Sequence, residues 1–201
     1  MINPLIFDNI LEMNVVMNAF VVVFFVEFAA MFVTIDRYYY QPNKQLGFQT
    51  IWLVMLGWFA CLIAGPFFRS SNVPEILANM VLPHFIFYLG VIIMIIGIVF
   101  HLVAIISIKK TRRTSIKDQS FISSGIYSVV RNPGHAGSII TVIGLAMTFR
   151  SLPAIIFVIV VSMITYYFRI KNEEQYLETN YKEEYNTYKK ATKYRLFPGI
   201  Y

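Results

Sequence analysis

The sequence predicts an all-α fold: a polytopic membrane helix bundle of about five transmembrane helices followed by a cytoplasmic C-terminal amphipathic helix. Three observations predict it. Of 201 residues, 57% are hydrophobic and only 14% charged, whereas roughly a quarter of a soluble domain is charged. Mean hydropathy is +0.61. The apolar residues also fall in runs of the roughly 17 to 25 residues that a helix needs to cross a bilayer. Hydrocarbon admits only helices or closed barrels, and these runs are too evenly apolar for barrel strands with alternating faces.

The first span is expected over Met13 to Ile35. It follows a start, Met1 to Glu12, that has two acids and no Lys or Arg, so the basic n-region of a signal peptide is missing and no cleavage is expected. The second, Phe48 to Phe68, holds the single Cys61, which rules out an internal disulfide. The third runs from His84 to Ile108, with His84 read as an interfacial residue. The fourth, Pro133 to Phe149, is opened by Asn132-Pro133, a favoured N-cap and first helical residue. Along it Gly134, Gly137, Ser138, Thr141 and Gly144 form small-residue stripes that admit another backbone or a flat ligand. The fifth is Ala154 to Phe168. Beyond it Tyr176, Leu177, Tyr181, Tyr185 and Tyr188 recur at helical spacing opposite Glu178, Lys182 and Lys189, which predicts an amphipathic helix lying over the bundle or on the lipid surface.

Lys and Arg set the orientation, because cytoplasmic loops carry the excess. One side holds only Arg69 and Arg150. The other collects Arg37 and Lys44, then Lys109, Lys110, Arg112, Arg113, Lys117 and Arg131, then Arg169 through Arg195. With an odd number of spans the N-terminus lies outside and the C-terminus in the cytoplasm. The net charge of +6 is mostly this bias; it favours anionic lipid headgroups and requires no nucleic acid. The chain reads as one domain, 1–201, with three plain spans in 1–108 and the chemistry in 109–201. Its oligomeric state is not legible.

That chemistry centres on a polar bracket around the last apolar hairpin. Arg131-Asn132-Pro133 precedes it, Glu173-Glu174 follows it, and Arg195-Leu196-Phe197-Pro198 lies further on. Arg, Glu and Arg around one small volume suit a zwitterion. A helix N-terminus at Pro133 adds N–H donors for a carboxylate or phosphate. Adjacent helical residues point about 100° apart, so one glutamate is expected to face a ligand and the other a basic neighbour. Both features also have local readings, as a helix cap and as a solvated helix exit. Glu27 and His101 lie at similar depth in the first and third spans, Glu27 roughly 13 Å from the span's end. Ionisable groups so placed are usually paired or functional, so these two are expected to pair or to line an acceptor tunnel, with separate local hydrogen bonds as the alternative. Three scattered histidines and no cysteine pair give no metal site.

Gly125-Ile-Tyr127, Val130-Arg131-Asn132-Pro133-Gly-His135-Ala-Gly137, the hairpin, Glu173-Glu174, Glu184-Tyr185 with Tyr188, and Arg195-Leu-Phe-Pro198 together resemble the C-terminal signature of the isoprenylcysteine carboxyl methyltransferase and phospholipid methyltransferase superfamily. The resemblance spans about the last 80 residues. It implies an integral membrane methyltransferase dependent on S-adenosyl-L-methionine, with the cofactor at the cytoplasmic ends of the last two spans and the tail covering it. By the same resemblance the catalytic set is Arg131, His135, Glu174 and Arg195. Cofactor contacts come from Tyr127, Arg131, Asn132, Pro133, His135, Gly137, Glu173 and Arg195. Arg131 or Arg195 suits the cofactor's carboxylate, and Glu173 its ammonium or ribose.

Two positions depart from the family's habit, which is commonly His where Asn132 stands and Tyr where His135 stands. His135 could replace the phenol as a hydrogen-bonding group, act as a general base on a protonated acceptor, or satisfy a backbone carbonyl. The acceptor is a lipophilic or prenylated small molecule or a lipid. O-methylation of an isoprenylcysteine-like carboxylate is expected first and phospholipid N-methylation second. An NADPH-dependent sterol-type reductase and a non-enzymatic scaffold are the alternatives of another class. The reductases resemble this C-terminus but lack the paired glutamates, so Glu173-Glu174 favours methyl transfer. A microbial plasma membrane is the expected location, or the endoplasmic reticulum in a eukaryote.

Overall fold

A computed structural model describes residues 10–37, 44–70, 72–114 and 123–199, excepting the side chains of residues 27, 30–51 and 109–114. Seven helices and a short 3-10 turn, with no strand, make up the described residues: α1 (Ile10–Arg37), α2 (Lys44–Phe68), α3 (Glu75–Ala78), α4 (Phe85–Thr114), the turn Gly125–Ser128, α5 (Pro133–Thr148), α6 (Leu152–Asn180) and α7 (Lys182–Ala191). Two of them are long and apolar enough to cross a membrane, Phe85–Ile108 within α4 and Leu152–Asn180. The described apolar stretches of α1 and α2 are shorter, Ile10–Val26 and Trp52–Phe68, and α5 has 16 residues.

The antiparallel pair α4 and α5 has the most extensive contact, and glycine spacing explains it. Gly90 and Gly97 on α4 stand seven residues apart, as do Gly137 and Gly144 on α5, and the four meet in register. A methyl group at Gly97 would lie 2.9 Å from the Gly137 carbonyl oxygen, and one at Gly90 would lie 2.7 Å from that of Gly144. Only side chains without Cβ permit that approach. The small-residue stripe of α5 therefore accepts a neighbouring backbone. Gly137 in particular faces α4, where a methyl would come 2.7 Å from the His101 amide nitrogen.

The α5–α6 turn is pinned to the segment before α4. Leu82 N–H donates to the Arg150 carbonyl at 2.7 Å and Leu152 N–H to that of Met80 at 3.1 Å. Arg150 has a positive φ of 56°, which costs a residue with a Cβ about 1–2 kcal/mol. Its side chain compensates, donating from Nε to the Leu82 carbonyl at 3.1 Å and standing 3.1 Å from His84 Nδ1. His84 Nε2 in turn lies 3.0 Å from Glu12 of α1. The histidine read as interfacial thus joins three segments at the bundle end remote from Glu173.

Large apolar side chains remain exposed along the outer faces, including Leu56, Ile63, Ile92, Ile96, Ile106, Ile156, Met163 and Phe168, a surface suited to lipid. Within the bundle, Val23, Trp58, Leu62, Met94, Val142, Leu145, Ala154 and Val158 form the main core.

One boundary differs from expectation. The fifth span does not stop near Phe168; α6 continues unbroken through both glutamates to Asn180. Good helix formers and the Arg169–Glu173 contact, one turn apart at 2.8 Å, carry it on. The predicted amphipathic helix is consequently split at Tyr181 between the end of α6 and α7. Leu177, Tyr185 and Tyr188 form a buried cluster there, and the ion pair between Lys189 and Glu178 closes the corner. Burial, with Tyr176 and Glu184 nearby, raises the Tyr181 phenol above its ordinary range.

Candidate active site

The polar bracket closes through backbone before side chains take part. Arg131 N–H donates to the Tyr194 carbonyl at 2.9 Å and Asn132 N–H to the Arg195 carbonyl at 3.0 Å, with Val130 and Tyr194 in a parallel bridge. Pro133 takes the first position of α5 as predicted, but the Asn132 side chain makes no cap hydrogen bond. Its Nδ2 donates instead to the Arg195 carbonyl at 3.3 Å. Tying down the tail outweighs capping here. Tyr188 Oη donates to the Tyr127 carbonyl at 2.6 Å and Thr192 Oγ1 to that of Ser128 at 3.2 Å, so α7 is fixed along the turn before α5. Tyr127 is buried against Ile108, where it supports the tail.

The adjacent glutamates each face basic partners, on diverging directions. Glu174 Oε2 accepts from Arg195 Nε at 2.8 Å and lies 2.5 Å from Nη2, and its Oε1 is 3.2 Å from Arg131 Nε. Glu173 Oε2 is 2.9 Å from His135 Nε2, and its Oε1 is 2.8 Å from Arg169 Nε. Arg131, Arg169, Glu173 and Glu174 are all buried. Buried charges at this density are costly unless fully hydrogen-bonded, and these are not. Arg131 Nε, Glu174 Oε1, Arg169 Nε and Arg169 Nη1 have no hydrogen-bond partner among the described residues, although the ion-pair distances are short. Such retained capacity for both signs of charge suits a zwitterionic ligand.

Beside this cluster lies a cleft with about 670 Å³ of non-atom space, part of it open to the surroundings. Phe24 and Phe28 of α1 and Val54, Phe59 and Leu62 of α2 form its apolar walls. His101, His135, Ser138 and Arg169 bring polar groups to it, with Trp58 and Tyr166 between. Phe28 and Phe59 are also exposed on the outer face, so the cleft meets the lipid-facing surface. Trp58 Nε1–H donates to Tyr166 Oη at 3.2 Å, and the Tyr166 ring stands 5.5 Å from that of His135. Among the described residues no group of His, Cys, Asp and Glu could hold a metal ion.

Residues 85–184 match the family profile described as phospholipid methyltransferase. The chain belongs to that family. Membership makes it a membrane methyltransferase by family, and the match covers α4, α5, α6 and the glutamate pair. Among curated proteins and among solved structures, nothing matches.

Of the residues expected in the site, the fold brings together Arg131, Asn132, His135, Glu173, Glu174 and Arg195, while Pro133 sets the start of α5. Tyr127 and Gly137 lie in supporting positions. His101 Nδ1 stands 3.1 Å from Ser138 Oγ and lines the cleft. The Glu27 side chain lies outside the described residues. Sequence reasoning passed over Arg169, Trp58 and Tyr166. A signal for Arg169 existed: a charge closing an apolar run four residues before Glu173. For Trp58 and Tyr166, whose contact joins α2 to α6, no local signal exists.

Proposed function

We propose that this chain is an S-adenosyl-L-methionine-dependent membrane methyltransferase that methylates the amine of a lipophilic, phospholipid-type acceptor. The carrying observation is His135, which lines the apolar cleft and contacts Glu173 at 2.9 Å. The cofactor supplies, when bound, an electrophilic methyl group on a sulfonium. Arg131 and Arg195 are assigned to its carboxylate and Glu173 or Glu174 to its ammonium or ribose, which accords with the mixed charge and retained hydrogen-bonding capacity of the cluster.

Each residue then has a defined task. The Glu173 carboxylate accepts from His135 Nε2–H, which fixes the tautomer and leaves Nδ1 to take a proton. An ammonium acceptor must lose a proton before its nitrogen lone pair can form the N–C bond, and His135 receives it. When bound, the cofactor would supply the methyl carbon and its sulfur would keep the electron pair of the broken S–C bond. Because a cation disappears from the leaving group in such a displacement, alignment and exclusion of water count for more than acid catalysis. The aromatic walls supply both. A carboxylate acceptor would need no base, so the histidine favours the amine over the isoprenylcysteine-like carboxylate expected first from sequence. The apolar runs of the sequence and the gathering of Lys and Arg on one side support a five-span arrangement with the site on the cytoplasmic side.

Calorimetric titration of the detergent-purified chain with S-adenosylhomocysteine and, separately, NADPH tests the class. Saturable binding of the first alone is expected. NADPH binding alone would move the chain to the reductases, and binding of neither would favour a scaffold. An acceptor screen of phosphatidylethanolamine against prenylcysteine then tests the substrate; turnover of prenylcysteine alone would overturn the amine reading.

A further inference from the structure

We infer that Arg169 is the receptor for an anionic phosphate ester on the acceptor and selects headgroups that carry one. This deepens the proposed methyl transfer and rests on it. Arg169 is 4% exposed and lines the cleft together with His101, His135 and Ser138, against the apolar walls of α1 and α2. Among the described residues Glu173 is the anion it contacts, on the Nε side at 2.8 Å, without hydrogen-bond geometry. Nη1 is buried with no hydrogen-bond partner among the described residues. A guanidinium has five N–H donors in a planar fork that matches phosphate or carboxylate oxygens, and leaving a buried charged donor unsatisfied is costly. Glu173 is shared with His135 at 2.9 Å, so one carboxylate serves two partners.

The placement specifies more than charge. Arg169 and His135 occupy the same end of the cleft, while Phe24, Phe28 and Phe59 continue it toward the lipid-facing surface. An acceptor seated there places its tail among the aromatics, its anion on Arg169 and its proton-bearing group near His135. A phosphate ester next to an amine meets all three requirements. A free anion leaves the apolar walls unfilled, and a neutral lipid leaves Nη1 unsatisfied.

The test reads binding through Trp58, which lines the cleft; Trp52→Phe in the full-length chain leaves it as the only tryptophan. In non-ionic maltoside micelles, dodecyl phosphate, dodecanol and inorganic phosphate are titrated against its fluorescence. Dodecyl phosphate is expected to saturate at a concentration about tenfold or more below dodecanol, the worth of one charge-assisted hydrogen bond, and inorganic phosphate is expected to give no change. Arg169→Gln should abolish the preference and Arg169→Lys should keep part of it. Equal midpoints for phosphate and alcohol overturn the inference without any variant, as does a preference that survives Arg169→Gln. Competition by inorganic phosphate at equal concentration overturns the lipid assignment. Failure to bind S-adenosylhomocysteine with the phosphate preference intact would sink the methyltransferase reading alone.

Discussion

His84 Nε2 stands 3.0 Å from Glu12 Oε1, joining the first helix to the start of α4. Glu12 is 5% exposed, so that contact helps to hold its buried carboxylate. His84→Ala should cost about 1–3 kcal/mol, the usual penalty for stripping a buried polar group of a partner. Thermal unfolding in detergent checks it. Pairing His84→Ala with Glu12→Gln should cost less than the sum of the single changes, because the two residues touch.

Arg150 combines an unfavourable φ of 56° with two side-chain contacts across the turn. Replacing it separates the two effects. Arg150→Ala keeps the strain and loses the contacts; Arg150→Gly loses both. Glycine is expected to be the more stable of the two variants by about 1 kcal/mol. An alanine variant at least as stable as the glycine variant would remove backbone strain from the account.

Gly97 faces Gly137 and Thr141 so closely that a methyl would lie 2.9 Å from a backbone oxygen. Gly97→Ala should force α4 away from α5 at a cost of about 1–3 kcal/mol. Because His101 and Ser138 flank that contact, acceptor affinity should fall as well, which titration of the purified variant would reveal.

Glu174 holds Arg131 and Arg195 together. Glu174→Gln keeps the shape and removes the charge, leaving two arginines facing one another. S-adenosylhomocysteine affinity is expected to drop by at least about tenfold, the scale of one charge-assisted hydrogen bond. Arg195→Ala should weaken it too, whereas His135→Ala should lower turnover more than cofactor affinity if His135 takes the proton. Wild-type affinity in the Glu174 and Arg195 variants removes them from the site.

Periodicity and capping made the helices legible, and the order of Arg131, Glu173 and Arg195 along the chain made the cluster legible. What stayed hidden depends on tertiary contact. Adjacent carboxylates must diverge on a helix, but sequence did not show that each would meet cations, since Arg195 arrives from a tail whose path is set by hydrogen bonds to residues 131 and 132. The length of α6 is hidden because apolarity ends near Phe168 while the helix runs on to Asn180, and charged residues continue helices well. Local sequence predicts a cap at Asn132, while the partner of its side chain lies 63 residues away.

Glu173 shares its carboxylate between His135 and Arg169, and both partners line the cleft. On the proposed function, filling either the cleft or the charged cluster beside it would therefore alter the charge felt in the other. Thermodynamic reciprocity then holds: by whatever factor a seated lipid changes the affinity for cofactor, bound cofactor changes the affinity for lipid. On the proposed function the doubly loaded state would be reached with the same total free energy by either order of arrival, and a single carboxylate would couple water-borne and bilayer-borne ligands.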